Sequence, residues 1–247
     1  MANFYFSASK LIEYAFASPQ RRHTIIKNAL TPPNYILDTK YRAIEIASSH
    51  YLASGCKNSD RLAQLDATYL KQNYNSEHQE NRLLNAHDAI ECVTSMDWVL
   101  PENANSKLGK NLPKDFNISG LDIRVKPSAI FSRNNPALAL PKIGVAKAYF
   151  SKTFPLITYS KNEPAVLYGV LLHWYVESTL GDIGEASPEL CIIGDVFQEK
   201  TSVAPKRFKQ RRKQLEALAQ EICDRVAPIR SRIDAVDTRP LIASEKK

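Results

Sequence analysis

Glycine is scarce in this chain, eight residues in 247, and none falls in a G-x-x-x-x-G-K, G-x-G-x-x-G or G-x-S-x-G pattern. A loop that wraps nucleotide phosphates in backbone amides needs closely spaced glycines, and a nucleophile elbow needs them beside its serine. Both kinds of site are therefore excluded. Cysteine is equally sparse. Cys56, Cys92, Cys191 and Cys223 lie far apart and form no C-x-x-C pair, which argues against a zinc centre or a disulfide framework. Cys191 sits inside an apolar run, where a small buried residue is expected. No run approaches the ~18 apolar residues of a membrane span. The opening M-A-N-F-Y-F-S-A-S-K has no basic region followed by a long apolar stretch, so the sequence reads as a cytoplasmic protein with no membrane contact.

What is present suits a globular protein with a full core, since 44% of the residues are hydrophobic and 24% charged. The net charge is +7, which permits attraction to nucleic acid or another polyanion. Its distribution says more than its sum. Lys206, Arg207, Lys209, Arg211, Arg212 and Lys213 fall within one eight-residue segment, whereas acids are spread through the rest.

Residues 1–97 read as a helical lobe. Ser7 or Ser9 can cap a helix through residue 17, with Leu11, Ile12, Ala15 and Phe16 on one face. A second helix, 19–29, ends before Thr31-Pro32-Pro33. A third, 41–54, repeats apolar residues at Ile44, Ala47 and Tyr51 and closes at Gly55. Two more amphipathic helices are expected over 59–73 and 77–93. Residues 98–116, rich in Pro, Asn, Lys and Gly, read as a linker.

Beyond residue 117 the period changes to two. Leu121, Ile123 and Val125 alternate with Asp122, Arg124 and Lys126, the signature of a strand with one buried face. Pro127 bends or ends it, and a short strand follows at 129–131. Asn134-Asn135-Pro136 is a turn, and 143–150 is the next strand, with Val145, Lys147 and Tyr149 on one face. Residues 163–178 form a helix too apolar for a surface position, with Pro164 in its first turn. A central strand at 189–197 and a basic-to-amphipathic helix over 205–226 complete an α/β core spanning 117–236. Residues 237–247 read as a frayed tail. The expected class is α+β, with a helical lobe followed by a small mixed sheet and flanking helices.

The segment I-S-G-L-D-I, with Gly120 and Asp122, resembles the G-x-x-D strand of RecB-type and CRISPR-associated exonucleases of the PD-(D/E)XK nuclease superfamily. V-A-K-A-Y-F-S-K-T is similar to their D-x-K-T strand, with Lys147 as the lysine, and L-Y-G-V-L-L-H-W-Y resembles the apolar helix that follows. The correspondence covers residues 117–200. It implies a restriction-endonuclease-like core in which Asp122 is a catalytic carboxylate ligating magnesium and Lys147 orients the attacking water. It also implies a nucleic-acid partner, DNA more than RNA, in genome defence or a mobile element.

Such a site needs two carboxylates, because one alone holds a hydrated magnesium ion poorly. Here the position two before Lys147 is Val145, and an alternative alignment through V-K-P-S places Ser128 where the acid would stand. Asp195, Glu13 and Glu177 are the acids that could complete the set. Asp122 alternates with apolar residues, a pattern that an ordinary solvent-facing strand residue also satisfies.

Two other readings stand beside the nuclease. In one, the chain is a non-catalytic subunit that binds nucleic acid or docks a larger partner through apolar helices, including Leu215, Leu218, Ile222 and Val226. In the other, Arg82 and His87 carry the R-x4-H spacing that resembles the HEPN ribonucleases, with His87 as general acid/base and Arg82 on the phosphate, without metal. The six cations of residues 206–213 are the candidate phosphate contacts in any nucleic-acid reading. His173, beside Trp174 in an apolar helix, is expected to be buried rather than a ligand.

Overall fold

A computed structural model describes residues 4–30, 41–72, 76–134, 139–158 and 160–237 of the chain. Its elements in order are β1 (Phe6–Ser7), α1 (Ala8–Phe16), α2 (Pro19–Leu30), α3 (Arg42–Ala53), α4 (Asp60–Leu70), α5 (Glu77–Ser95), β2 (Asn105–Leu108), β3 (Asp115–Ile118), β4 (Leu121–Arg124), β5 (Ala129–Arg133), β6 (Lys142–Tyr149), α6 (Glu163–Thr179), β7 (Glu185–Ala186), β8 (Ile192–Asp195), β9 (Lys200–Val203) and α7 (Lys209–Asp237). The architecture is α+β. The expected Thr31-Pro32-Pro33 break, most of the Asn134–Pro136 turn and nearly all of the 237–247 tail lie outside the described residues.

Local chemistry explains the element ends. Ser7 caps α1 by accepting from the Lys10 amide at 3.3 Å, and Ser76 caps α5 through the Gln79 amide at 3.3 Å. Glu163 and Pro164 open α6, where the missing proline N–H costs nothing. Eleven residues of α6 are buried, including Leu167, Tyr168, Val170, Leu171 and Leu172, so this helix is apolar on all sides because it is covered on all sides. Gly169 is needed there: a Cβ would stand 2.9 Å from the Ala204 backbone.

The main sheet runs β2-β5-β6-β8-β9, with β7 beside the start of β6. The β2, β5 and β6 strands form an antiparallel meander, and α6 then carries the chain across to β8, which pairs parallel with β6. A smaller sheet, β1-β4-β3, is separate from it.

Each face of the main sheet carries its own core. One cluster joins α1, α2, α6 and α7 with the smaller sheet through Phe6, Leu11, Ile26, Ile123, Val145, Leu171 and Leu215. The other joins α3, α4 and α5 to the opposite face through Ile44, Leu62, Ala89, Ala146, Ala148 and Ile192. The first five helices therefore do not stand apart as a lobe. They are divided between the two faces, and β1 adds residues 6–7 to the smaller sheet by parallel pairing with β4.

The expected linker over 98–116 also differs from its reading. It contains β2 and the start of β3. The β2 sequence, N-S-K-L, is a largely exposed edge strand with no buried face to impose alternation, so no period of two marks it.

The apolar stripe of α7 is likewise spent inside the molecule. Leu215 and Ile222 are completely buried, and Leu218 nearly so, in the first core, so these residues are not an external docking face.

Candidate functional site

Lys147 stands near the end of β6, the central strand. Register places Val145 opposite Ile130 and Ala146 opposite Ala129, which leaves Ser128, just before β5, as the neighbour of Lys147. The Ser128 amide donates to the Ala146 carbonyl at 2.8 Å, and its hydroxyl accepts from the Ala148 amide at 3.2 Å. On the other side, Lys147 is level with Ile193 of β8. Alternation puts Lys147 on the same sheet face as Val145 and Tyr149, beneath α1 and α6.

Only 8% of Lys147 is exposed, and its ammonium lies 3.7 Å from the carboxylate of Glu45 on α3. Glu45 was not visible as a site residue. It occupies an ordinary position in an amphipathic helix, about a hundred residues upstream, and nothing in its spacing sets it apart. Around the pair, Tyr168 approaches Tyr149 with ring centroids 6.3 Å apart and shares a 3.2 Å hydrogen bond with Ser9. Burial pushes the Tyr149 hydroxyl up to about 12 and that of Tyr168 higher still, so both remain protonated donors.

Each acid considered as a second ligand has other work. Glu13 lies between Lys10 and Arg21, 2.6 Å from each. Burial tends to raise its pKa, but the hydrogen bonds and charges of its two partners prevail and lower it. Asp195 is completely buried. Its Oδ2 accepts from the Leu156 and Ile157 amides at 2.6 and 3.2 Å, fastening the chain after β6 to the end of β8. Its pKa is raised because burial outweighs those bonds. Glu177 pairs with Arg212 at 2.5 Å.

Asp122 is not brought to Lys147. It lies on β4 in the smaller sheet, exposed, opposite Asn117 in register, and accepts a 2.9 Å hydrogen bond from the Asn117 side chain. Gly120, which suggested the nuclease pattern, has a local explanation. Ser119 and Gly120 form a two-residue hairpin loop with φ of 49° and 86°, the left-handed pair that suits the twist of β3 and β4. Asn117 supports that loop by accepting from the Gly120 amide at 2.9 Å. The alternation that marked Asp122 was thus the solvent face of a hairpin.

Magnesium fits the Lys147 site poorly. The carboxylate paired with Lys147, Glu45, already faces that ammonium, Glu13 and Asp195 are engaged elsewhere, and the neighbouring positions hold Ser128 and Val145. Among the described residues no three His, Cys, Asp or Glu side chains converge to hold a metal ion.

The basic segment divides in two. Arg212 is three-quarters or more covered: it pairs with Glu177, donates to His173 Nδ1 at 3.0 Å, and lies 4.4 Å over the Phe208 ring and 5.3 Å over Trp174. His173 is buried as expected, and burial together with the Arg212 charge lowers its pKa, so it accepts as a neutral imidazole. Arg211 pairs with Glu163 at 3.2 Å. Lys206, Arg207, Lys209 and Lys213 are exposed and form no ion pair among the described residues.

His87 and Arg82 both lie on α5, about 140° apart around its axis. His87 Nδ1 bonds the Asp66 carboxylate of α4 at 2.7 Å, and that bond, against some burial, raises its pKa. The histidine thereby joins α4 to α5.

The chain matches no protein-family model and no curated protein sequence. Among the described residues no helix is long and apolar enough to cross a membrane.

Proposed function

We propose that this chain is a nucleic-acid-binding protein on a nuclease-like α+β frame, without a phosphodiester-cutting centre of its own. The observation that carries the reading is the division of the basic segment. Arg211 and Arg212 are held by Glu163, Glu177 and His173, while Lys206 and Arg207, just before α7, and Lys209 and Lys213, in its first turns, face solvent. Phosphate contacts by such a group are independent of sequence and sensitive to salt.

The Lys147 site supports the non-cutting half of the proposal. The main sheet has three antiparallel strands, a crossover helix and a parallel fourth strand, but its first strand is β2, outside residues 117–200, while β4 with Asp122 lies in the smaller sheet. Lys147 lies on the central strand, but its one ion pair among the described residues is with Glu45, and valine and serine stand at the neighbouring positions. DNA is the proposed partner ahead of RNA. The four thiols are all unpaired, which suits a reducing, cytoplasmic compartment.

Fluorescence anisotropy with labelled double-stranded DNA, at a series of salt concentrations, tests the binding. Binding that weakens with salt is expected. Replacing Lys206, Arg207, Lys209 and Lys213 together by glutamine should reduce the salt slope by roughly 0.9 for each phosphate that is no longer neutralised. No binding at low salt would overturn the proposal.

A further inference from the structure

A second cationic surface lies on the other face of the sheet. Between α3, α4 and β2 is a cleft of about 630 Å3 lined by His50, Ser54, Asn58, Asp60, Arg61 and Lys107. Lys110, just beyond β2, adds its charge to the same place, since it is one of the two cations that act on His50. The cleft lining thus holds Arg61 and Lys107 against one acid, Asp60, with Lys110 near enough for its charge to act on His50. None of the three cations forms an ion pair among the described residues. The Arg61 guanidinium donates to the His50 ring nitrogen Nε2 at 2.5 Å, so its charge meets a neutral acceptor rather than a carboxylate.

We infer that this cleft is an anion site for a phosphate group of the nucleic-acid backbone. The inference rests on the function proposed above and adds a contact surface that the basic segment does not provide. The chemistry is that of a concave pocket lined by a guanidinium, held by His50, and the Lys107 side chain, with the Lys110 charge nearby, where a tetrahedral oxyanion would complete the charge balance. The floor is already formed: the Ser54 hydroxyl accepts from the Lys57 and Asn58 amides at 3.2 and 3.0 Å and so holds the α3–α4 turn in place. His50 reports the local field. Its pKa is lowered by burial first and then by the charges of Arg61 and Lys110, with Lys107 and Asp60 the other charged groups at the cleft. A bound oxyanion would reverse part of that effect. The cleft belongs to the α3–α5 layer and the basic segment to the α6–α7 layer, so a nucleic acid touching both must pass around the sheet.

The test uses the whole chain and the double variant Arg61→Gln, Lys107→Gln. Thermal melting first checks that the variant is folded; if it is not, Lys110→Gln is used in its place. Two measurements follow. Anisotropy with labelled DNA gives the salt slope, and titration of the His50 ring signals by NMR, with and without inorganic phosphate, gives its pKa. The inference predicts a slope lower by about 0.9 in the double variant, for the one phosphate no longer neutralised, and a smaller decrease for Lys110→Gln. It also predicts a phosphate-induced rise of the His50 pKa in the wild type that the variant loses. If wild-type protein binds DNA and the variant binds with the same slope, the cleft is not a backbone contact, and the basic-segment reading survives alone. If DNA does not bind but phosphate still raises the His50 pKa, the anion site stands with a free phosphate as its ligand, and the proposed function falls. No change in either measurement overturns the inference.

Discussion

The ammonium of Lys147 lies 3.7 Å from the carboxylate of Glu45 and reaches it from the sheet face that carries Val145 and Tyr149. One residue belongs to the central strand and the other to a helix of the opposite core, so the pair ties the two halves of the molecule together at the end of β6.

Removing either charge has different consequences. Glu45→Gln leaves a nearly buried ammonium without its counter-charge and should destabilise the fold by about 1 kcal/mol, a small value because Glu45 itself is partly exposed. Lys147→Met keeps the volume and removes the charge, and should be neutral or slightly stabilising. Urea unfolding of the two variants checks the order. A larger loss for Lys147→Met would show that the lysine has a structural role beyond the pair.

Introducing acids beside Lys147 should create a metal site. Ser128→Asp with Val145→Glu places two carboxylates at the positions neighbouring Lys147, one just before β5 and one on β6. Without metal the double variant should melt lower than the parent, because Val145 is completely buried and a carboxylate there is costly. Manganese should raise its melting temperature and leave that of the parent unchanged. A manganese-induced rise in the parent that Glu45→Gln abolishes would contradict the account.

The bond between His87 and Asp66 predicts a pH dependence. The His87 pKa is raised in the folded state, so its stabilisation is fully present below the unfolded value of about 6.5 and is lost as pH rises through the folded value. Both groups are partly exposed, so the effect should be a few tenths of a kcal/mol. The urea midpoints of wild type and His87→Gln should differ at pH 5.5 and converge at pH 8.5. The same substitution should leave any RNA cleavage by the preparation unaffected, whereas loss of such cleavage would restore the ribonuclease reading.

Within the basic segment, Arg212 should behave differently from its neighbours. Arg212→Ala removes its interactions with Glu177, His173, Phe208 and Trp174 and should cost about 1–3 kcal/mol with little change in the salt slope of DNA binding. Lys209→Gln and Lys213→Gln should change the slope and leave the melting temperature within error.

The sequence made most elements legible and the site much less so. The helices α1 to α6 carry apolar spacing, caps or proline starts that mark them, and β4 alternates in the expected way, while β6 is buried on both faces. The exposed edge strand β2 has no such signal. The division of α1–α5 between two faces could not be read either, because each helix shows one apolar stripe and none states which face of the sheet it covers. Lys147 was correctly placed on a strand, but that this strand is central, and that its partner comes from α3, depend on tertiary packing. Asp122 misled because a hairpin with a left-handed Ser119-Gly120 loop puts a glycine shortly before an exposed strand acid, a G-x-D that resembles the G-x-x-D of the nuclease strand. The six-residue basic run was visible as a unit, yet its division into two held arginines and four outward cations required the positions of Glu163 and Glu177.

The most direct test of the central claim is a single tube containing end-labelled DNA, the purified protein and manganese at low salt, followed for both anisotropy and strand length. A salt-reversible rise in anisotropy with the DNA left intact is the predicted result. Manganese-dependent strand cleavage that Lys147→Met abolishes would contradict it.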